Sequence, residues 1–178
     1  MALTPLLLYL LACCDAAFCG YRAAAGRNAL LFKRRYYLRA MGRGLLWGQL
    51  AVAVAAALGW LLVALSSSPE RVLDDYREAG ERLLQVYLPY AGVIGLAFAV
   101  RAVPSVDVRS LSSVVVFGPL TLVRPLVAVA GVAWALFHVP RGEVAILAGA
   151  VLLMMLSLER LLECRAPAGS TLEPEARA

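Results

Sequence analysis

The stretch LLWGQLAVAVAAALGWLLVAL, residues 45–65, decides the fold class. It carries no charge from end to end, and Gln49 is its one polar side chain. About 20 apolar residues in a helix cross the roughly 30 Å hydrocarbon core of a bilayer. A helix also satisfies every backbone N–H and C=O within the segment, which lipid cannot do for it. The stretch therefore reads as a transmembrane helix. The whole chain agrees with it. Of 178 residues, 62% are hydrophobic and 16% charged, and the mean hydropathy is +0.77. Soluble domains run at about 45–50% apolar and about 25% charged. The expected fold class is all-α, a polytopic membrane helix bundle of about five transmembrane helices with a basic interfacial segment on the cytoplasmic side.

N-terminal to this span lies YRAAAGRNALLFKRRYYLRAMGRG, residues 21–44. It contains Arg22, Arg27, Lys33, Arg34, Arg35, Arg39 and Arg43 and no acid. Leu31, Arg35, Arg39 and Arg43 recur every fourth residue, a basic stripe on a helix. Tyr21, Phe32, Tyr36 and Tyr37 are aromatics of the kind that anchor at membrane interfaces. These seven basic residues are the expected contacts for anionic lipid or an acidic partner. Nucleic acid is not an expected partner, because the cluster sits between two apolar runs. Before it comes a first span, about 3–20, interrupted by Asp15. Leu10-Leu11-Ala12-Cys13 resembles a lipoprotein cleavage box, but no basic residue precedes the apolar run, so a retained helix is expected.

C-terminal to residue 65, Ser66-Ser67-Ser68-Pro69-Glu70 is a helix start, with Ser68 as N-cap and Pro69 in the first position. The helix begins acidic and amphipathic, with Val72, Tyr76, Ala79, Leu83 and Val86 on one stripe. It is expected to become the third span at about 83–103. Residues 104–118 read as a loop followed by the short apolar SVVVFG, which fits a re-entrant piece, an interfacial piece or the start of the fourth span. The fourth span is expected at 119–139 and the fifth at 144–162. The bundle then covers 1–165, followed by a disordered tail over 166–178. Lys33 is the one lysine among 17 basic residues. That arginine bias, with abundant alanine, points to GC-rich coding DNA and a bacterial inner membrane. The positive-inside rule puts 21–44 and the C-terminus in the cytoplasm and the N-terminus outside.

Few residues invite chemistry. Asp15 lies late in the first span and Arg124, followed by Pro125, lies one to two turns into the fourth. Intramembrane charges are costly and face a partner or a water-filled cavity. The topology sets both at similar depth, and an Asp15–Arg124 ion pair is expected. Asp15, Cys19 and Arg22 share a helix face. Cys13 and Cys14 are adjacent and point apart, His138 is the one histidine, and neither a metal site nor a cofactor is expected. A disulfide framework is not expected from Cys13, Cys14, Cys19 and Cys164. Small residues recur at four-residue spacing (Gly44 and Gly48; Ala51, Ala55 and Gly59; Ala91, Gly95 and Ala99; Ala145 and Gly149), which permits close helix contact or self-association.

The function expected first is non-enzymatic: an accessory or structural subunit of a membrane assembly, or a lipid-interacting membrane protein. A small transporter or channel with Asp15 and Arg124 along its path comes second. An embedded enzyme holding a lipid headgroup through Arg22, Arg27 and Arg124 comes third.

The orientation is testable by cysteine labelling in intact cells. A cysteine placed in the 166–178 tail should be protected from an impermeant maleimide. Labelling there from outside would overturn the five-span topology and favour four spans.

Overall fold

The computed structural model describes residues 3–25, 34–101 and 119–164. These form five helices: α1 (Leu3–Ala25), α2 (Arg34–Leu65), α3 (Pro69–Arg101), α4 (Pro119–His138) and α5 (Gly142–Cys164). The described part is all-α, as the hydropathy pattern requires. Leu3–Ala23, Leu38–Leu65 and Gly142–Leu162 are long and apolar enough to cross a membrane, and Leu122–His138 is a shorter apolar helix. The expected third and fourth spans fall on α3 and α4. The ambiguous stretch 104–118 and the tail 166–178 lie outside the described residues.

The surface is that of a protein dissolved in hydrocarbon. Leu46, Trp60, Leu65 and Phe137 are 72%, 71%, 75% and 79% exposed. Four large apolar side chains so far out, on two different helices, would be a liability in water. In lipid they face their own kind. The chain is an integral membrane protein.

The basic segment is not a separate element where it is described. α1 runs on to Ala25, and residues 34–43 form the first turns of α2. Arginine and leucine are good helix formers, and no proline separates this stretch from the span that follows. At 1.5 Å per residue, the 32 residues of α2 reach about 48 Å. That exceeds the roughly 30 Å apolar core, so the charged turns project beyond one end. The 33 residues of α3 carry their acids in the first half, toward the other end of the bundle, and α3 is not among the helices long and apolar enough to cross a membrane by length and composition.

Ser68 and Pro69 start α3 as the motif predicts. The Val72 N–H donates to the Ser68 carbonyl at 3.2 Å, and the Ser68 N–H donates to Ser66 Oγ at 3.2 Å. Pro125 does not end α4, which runs through it from Pro119 to His138. It is the seventh residue of the helix, so it removes one intrahelical N–H donor, a loss that α4 carries without ending.

α1 is the central helix, in contact with α2, α3 and α5. Its closest packing is against α2. A Cβ placed on Gly20 would lie 3.0 Å from Gly44 Cα and would run into the Ala40 carbonyl oxygen. One on Gly44 would lie 2.9 Å from Gly20 Cα, and one on Gly48 would collide with Ala16 Cβ. Ala16 and Gly20 on α1 thus mesh with Ala40, Gly44 and Gly48 on α2, at four-residue spacing on both. With little hydrophobic drive between helices in lipid, such close van der Waals contact is a main source of cohesion. Gly131 on α4 does the same for α3, since a Cβ there would meet Leu83 Cδ1 at 2.9 Å and the Tyr87 ring at 3.0 Å. By contrast, nothing lies within 4 Å of a Cβ on Gly95 or Gly149, so these members of the small-residue pattern are not used inside the described bundle.

Gly44→Val should therefore lower the thermal midpoint of the detergent-solubilised protein markedly. Overpacking a fitted contact costs about 1–3 kcal/mol, and here the clash is with backbone. Gly149→Ala should leave the midpoint unchanged. Thermal scans monitored by size-exclusion chromatography would show the contrast.

Candidate functional site

The polar centre of the bundle is built on three helices. Asp15 on α1 is 6% exposed and Arg124 on α4 is 2% exposed. The guanidinium meets the carboxylate side-on, through Nε and one Nη. Arg124 Nε donates to Asp15 Oδ1 at 2.9 Å and Nη2 donates to Oδ2 at 2.8 Å. This two-pronged geometry uses the fixed fork of arginine, which a lysine could not reproduce. The same Nη2 also donates to the Met155 carbonyl of α5 at 2.6 Å. The spare donor capacity of Arg124 is thus spent on a neighbouring helix.

Glu159 on α5 extends the cluster, and the sequence reading missed it. Arg124 Nη1 approaches Glu159 Oε2 at 3.5 Å, and Arg22 Nη1 approaches Glu159 Oε1 at 2.6 Å. The charges alternate as Asp15, Arg124, Glu159, Arg22, two negative and two positive, so the row is neutral. Arg22 was grouped with the lipid-facing arginines. Its side chain is instead 10% exposed, turned inward to Glu159 and lying 5.7 Å over the Phe18 ring. The reason is compensation: Glu159 sits inside the span of α5, and an unpaired carboxylate there would be costly. One signal was available in the sequence. An acid within the predicted 144–162 span needs a partner as much as Asp15 does.

Arg39, Arg43 and Arg160 are exposed. All three lie at the same end of the bundle, because α1 packs against both α2 and α5 there. Ala16 and Cys19 cluster with Leu158 and Leu162, and Trp47 packs against them. Arg34 and Arg35 open α2 at this end. Arg27 and Lys33 lie outside the described residues. At the opposite end Arg141, in the turn between α4 and α5, forms an ion pair with Asp75 of α3. Beside it, burial and the charge of Glu143 raise the Tyr76 phenol above its ordinary pKa. Among the described residues no group of three His, Cys, Asp or Glu side chains is placed to hold a metal ion.

A cavity of about 500 Å³ lies between α1, α2, α3 and α5. It extends along residues 5–16 of α1 and 147–158 of α5, about 16 Å at 1.5 Å per residue. Its walls are almost wholly apolar, among them Leu8, Ala12, Val52, Leu147 and Val151. Pro5, Tyr9 and Ala56 are exposed members of the lining. At the other end it reaches Asp15, where Ala16, Gly48 and Leu158 close it. Such a volume is typical of small-molecule sites, about 300–1,000 Å³.

Removing one member of the buried pair strands the other, at about 3–5 kcal/mol. Asp15→Asn and Arg124→Gln should each cut the folded yield to a similar degree, and the double variant should be no worse than either alone. Normal yield of both single variants, measured by fluorescence-detected size exclusion, would show that the pair does not hold the bundle together. Comparison of the chain with protein-family models, with characterised proteins and with solved structures gives no match, so the site is argued from its own residues.

Proposed function

We propose that this chain is a non-enzymatic, lipid-interacting protein of a bacterial inner membrane, serving as an accessory or structural component of a membrane assembly. The observation that carries the proposal is a division of labour among its arginines. Arg22 and Arg124 are consumed by carboxylates inside the bundle, while Arg39, Arg43 and Arg160 are exposed together at one end. A buried, charge-neutral row suits a lock between helices. An exposed basic end suits an anionic leaflet, where each arginine near the surface gains about 1 kcal/mol. The positive-inside rule makes that leaflet the cytoplasmic one.

Transport through Asp15 and Arg124 has one observation in its favour, that Asp15 borders the cavity. Against it, both carboxylate oxygens are already taken by Arg124, so a substrate would first have to break a buried pair. A headgroup enzyme using Arg22 and Arg124 meets the same obstacle.

The proposal is tested by lipid retention. Purified from a membrane containing phosphatidylglycerol and cardiolipin, the wild-type protein should keep anionic lipid in excess of its bulk fraction, and raised salt should weaken this. The triple variant Arg39→Gln, Arg43→Gln, Arg160→Gln should lose most of the excess while folding normally. Equal retention by the triple variant would overturn the reading.

A further inference from the structure

We infer that the cavity between α1, α2, α3 and α5 is a binding site for one acyl chain of a bilayer lipid, drawn from the leaflet opposite the basic end. Three observations meet on this occupant. The first is length. The cavity runs about 16 Å along α1, close to half of the roughly 30 Å hydrocarbon thickness, which is the depth of one leaflet. The second is placement. Its closed end lies at Asp15, Gly48 and Leu158, and its lining runs from there to Pro5, away from Arg39, Arg43 and Arg160. A chain entering past Pro5 and Ala56 would leave its headgroup at the end where α1 begins. The third is chemistry. The walls are mostly aliphatic; the two tyrosines among them have partners, Tyr9 Oη donating to Gln49 Oε1 and Tyr87 Oη to Met155 Sδ, and Asp15 at the far end has both oxygens bonded to Arg124. The terminal methyl of a hydrocarbon chain can approach that neutralised pair, whereas a polar ligand would find no free partner in it.

The close α1–α2 contact explains why the site stops where it does. Ala16 fits against Gly48 and Gly20 against Gly44, so the two helices meet backbone to backbone at the closed end of the cavity. The side chains that border the cavity on α2 are small, Ala51, Ala55 and Ala56, and they leave the width of a chain.

The inference deepens the lipid-interacting reading but does not need the arginines, and the test separates the two. The full chain is reconstituted in nanodiscs of phosphatidylcholine, which has no net charge, doped with phosphatidylcholine bearing a diazirine on one acyl chain. After photolysis, adducts are mapped by mass spectrometry. Adducts should concentrate on Leu8, Ala12, Val52 and Val151. In Ala51→Leu/Ala55→Leu, which fills the cavity, they should fall about tenfold, the change produced by a loss of one decade in affinity. Ala57→Leu, on the exposed side of α2, should leave them unchanged. If the double variant does not fold, Val151→Phe fills the same space from α5, and the wild-type map is informative without either. Adducts spread over outward residues such as Leu61, Leu126 and Leu153, with none in the lining, would overturn the inference. So would lining adducts that persist undiminished in a folded, filled variant. Either failure would leave the headgroup preference of the arginines standing, since no anionic lipid enters the experiment.

Discussion

The Asp15–Arg124 ion pair is the constraint around which the rest of the bundle is arranged. A carboxylate in the first span and a guanidinium in the fourth are each expensive in hydrocarbon. They become tolerable when two hydrogen bonds of 2.9 and 2.8 Å close the pair and a carbonyl of α5 takes a further donor at 2.6 Å. That geometry fixes the relative depth of α1, α4 and α5. A slide of one helical turn along any of them would move a charge by about 5.4 Å and break the contacts. Apolar packing alone specifies register weakly in a membrane, because lipid solvates leucine as well as another leucine does. The buried charges therefore supply what the hydrophobic effect supplies in water, a strong penalty for the wrong arrangement.

Glu159 and Arg22 make the arrangement a row instead of a pair. Glu159 bridges the two arginines, so α1 is tied to α5 directly as well as through α4. The glycine contacts serve the same end from another direction. Gly20 and Gly44 let α1 and α2 approach until backbone touches backbone. The charges and these glycines thus hold the half of the bundle nearer the basic end tightly, and the cavity lies beside them, bounded at one end by Asp15, Ala16 and Gly48.

Charge also gives the molecule two unlike ends. At one, Arg39, Arg43 and Arg160 are exposed. At the other, the acidic first half of α3 meets Arg141 through Asp75. α2 carries its basic turns and α3 its acidic turns at opposite ends of the bundle.

Much of this was legible in the sequence, and the reason is the bilayer. Backbone hydrogen bonds must close within each helix, so a charge-free run such as 45–65 has one available structure, and hydropathy with Ser68, Pro69 and Pro119 places the helices. The cost of a lone intramembrane charge made Asp15 and Arg124 partners before any coordinate was known. Tertiary structure decided what one-dimensional patterns do not encode. Whether Arg22 turns outward to lipid or inward depends on Glu159, which lies far along the chain and reaches it only once α1 and α5 are neighbours. Of several small-residue patterns, Gly44 and Gly48 meet another helix while Gly95 and Gly149 face open space, because spacing says that a face is flat and not what lies against it. The cavity belongs to no segment at all. It is lined by side chains of four helices, which only the packing of those helices brings together and no single stretch of sequence carries.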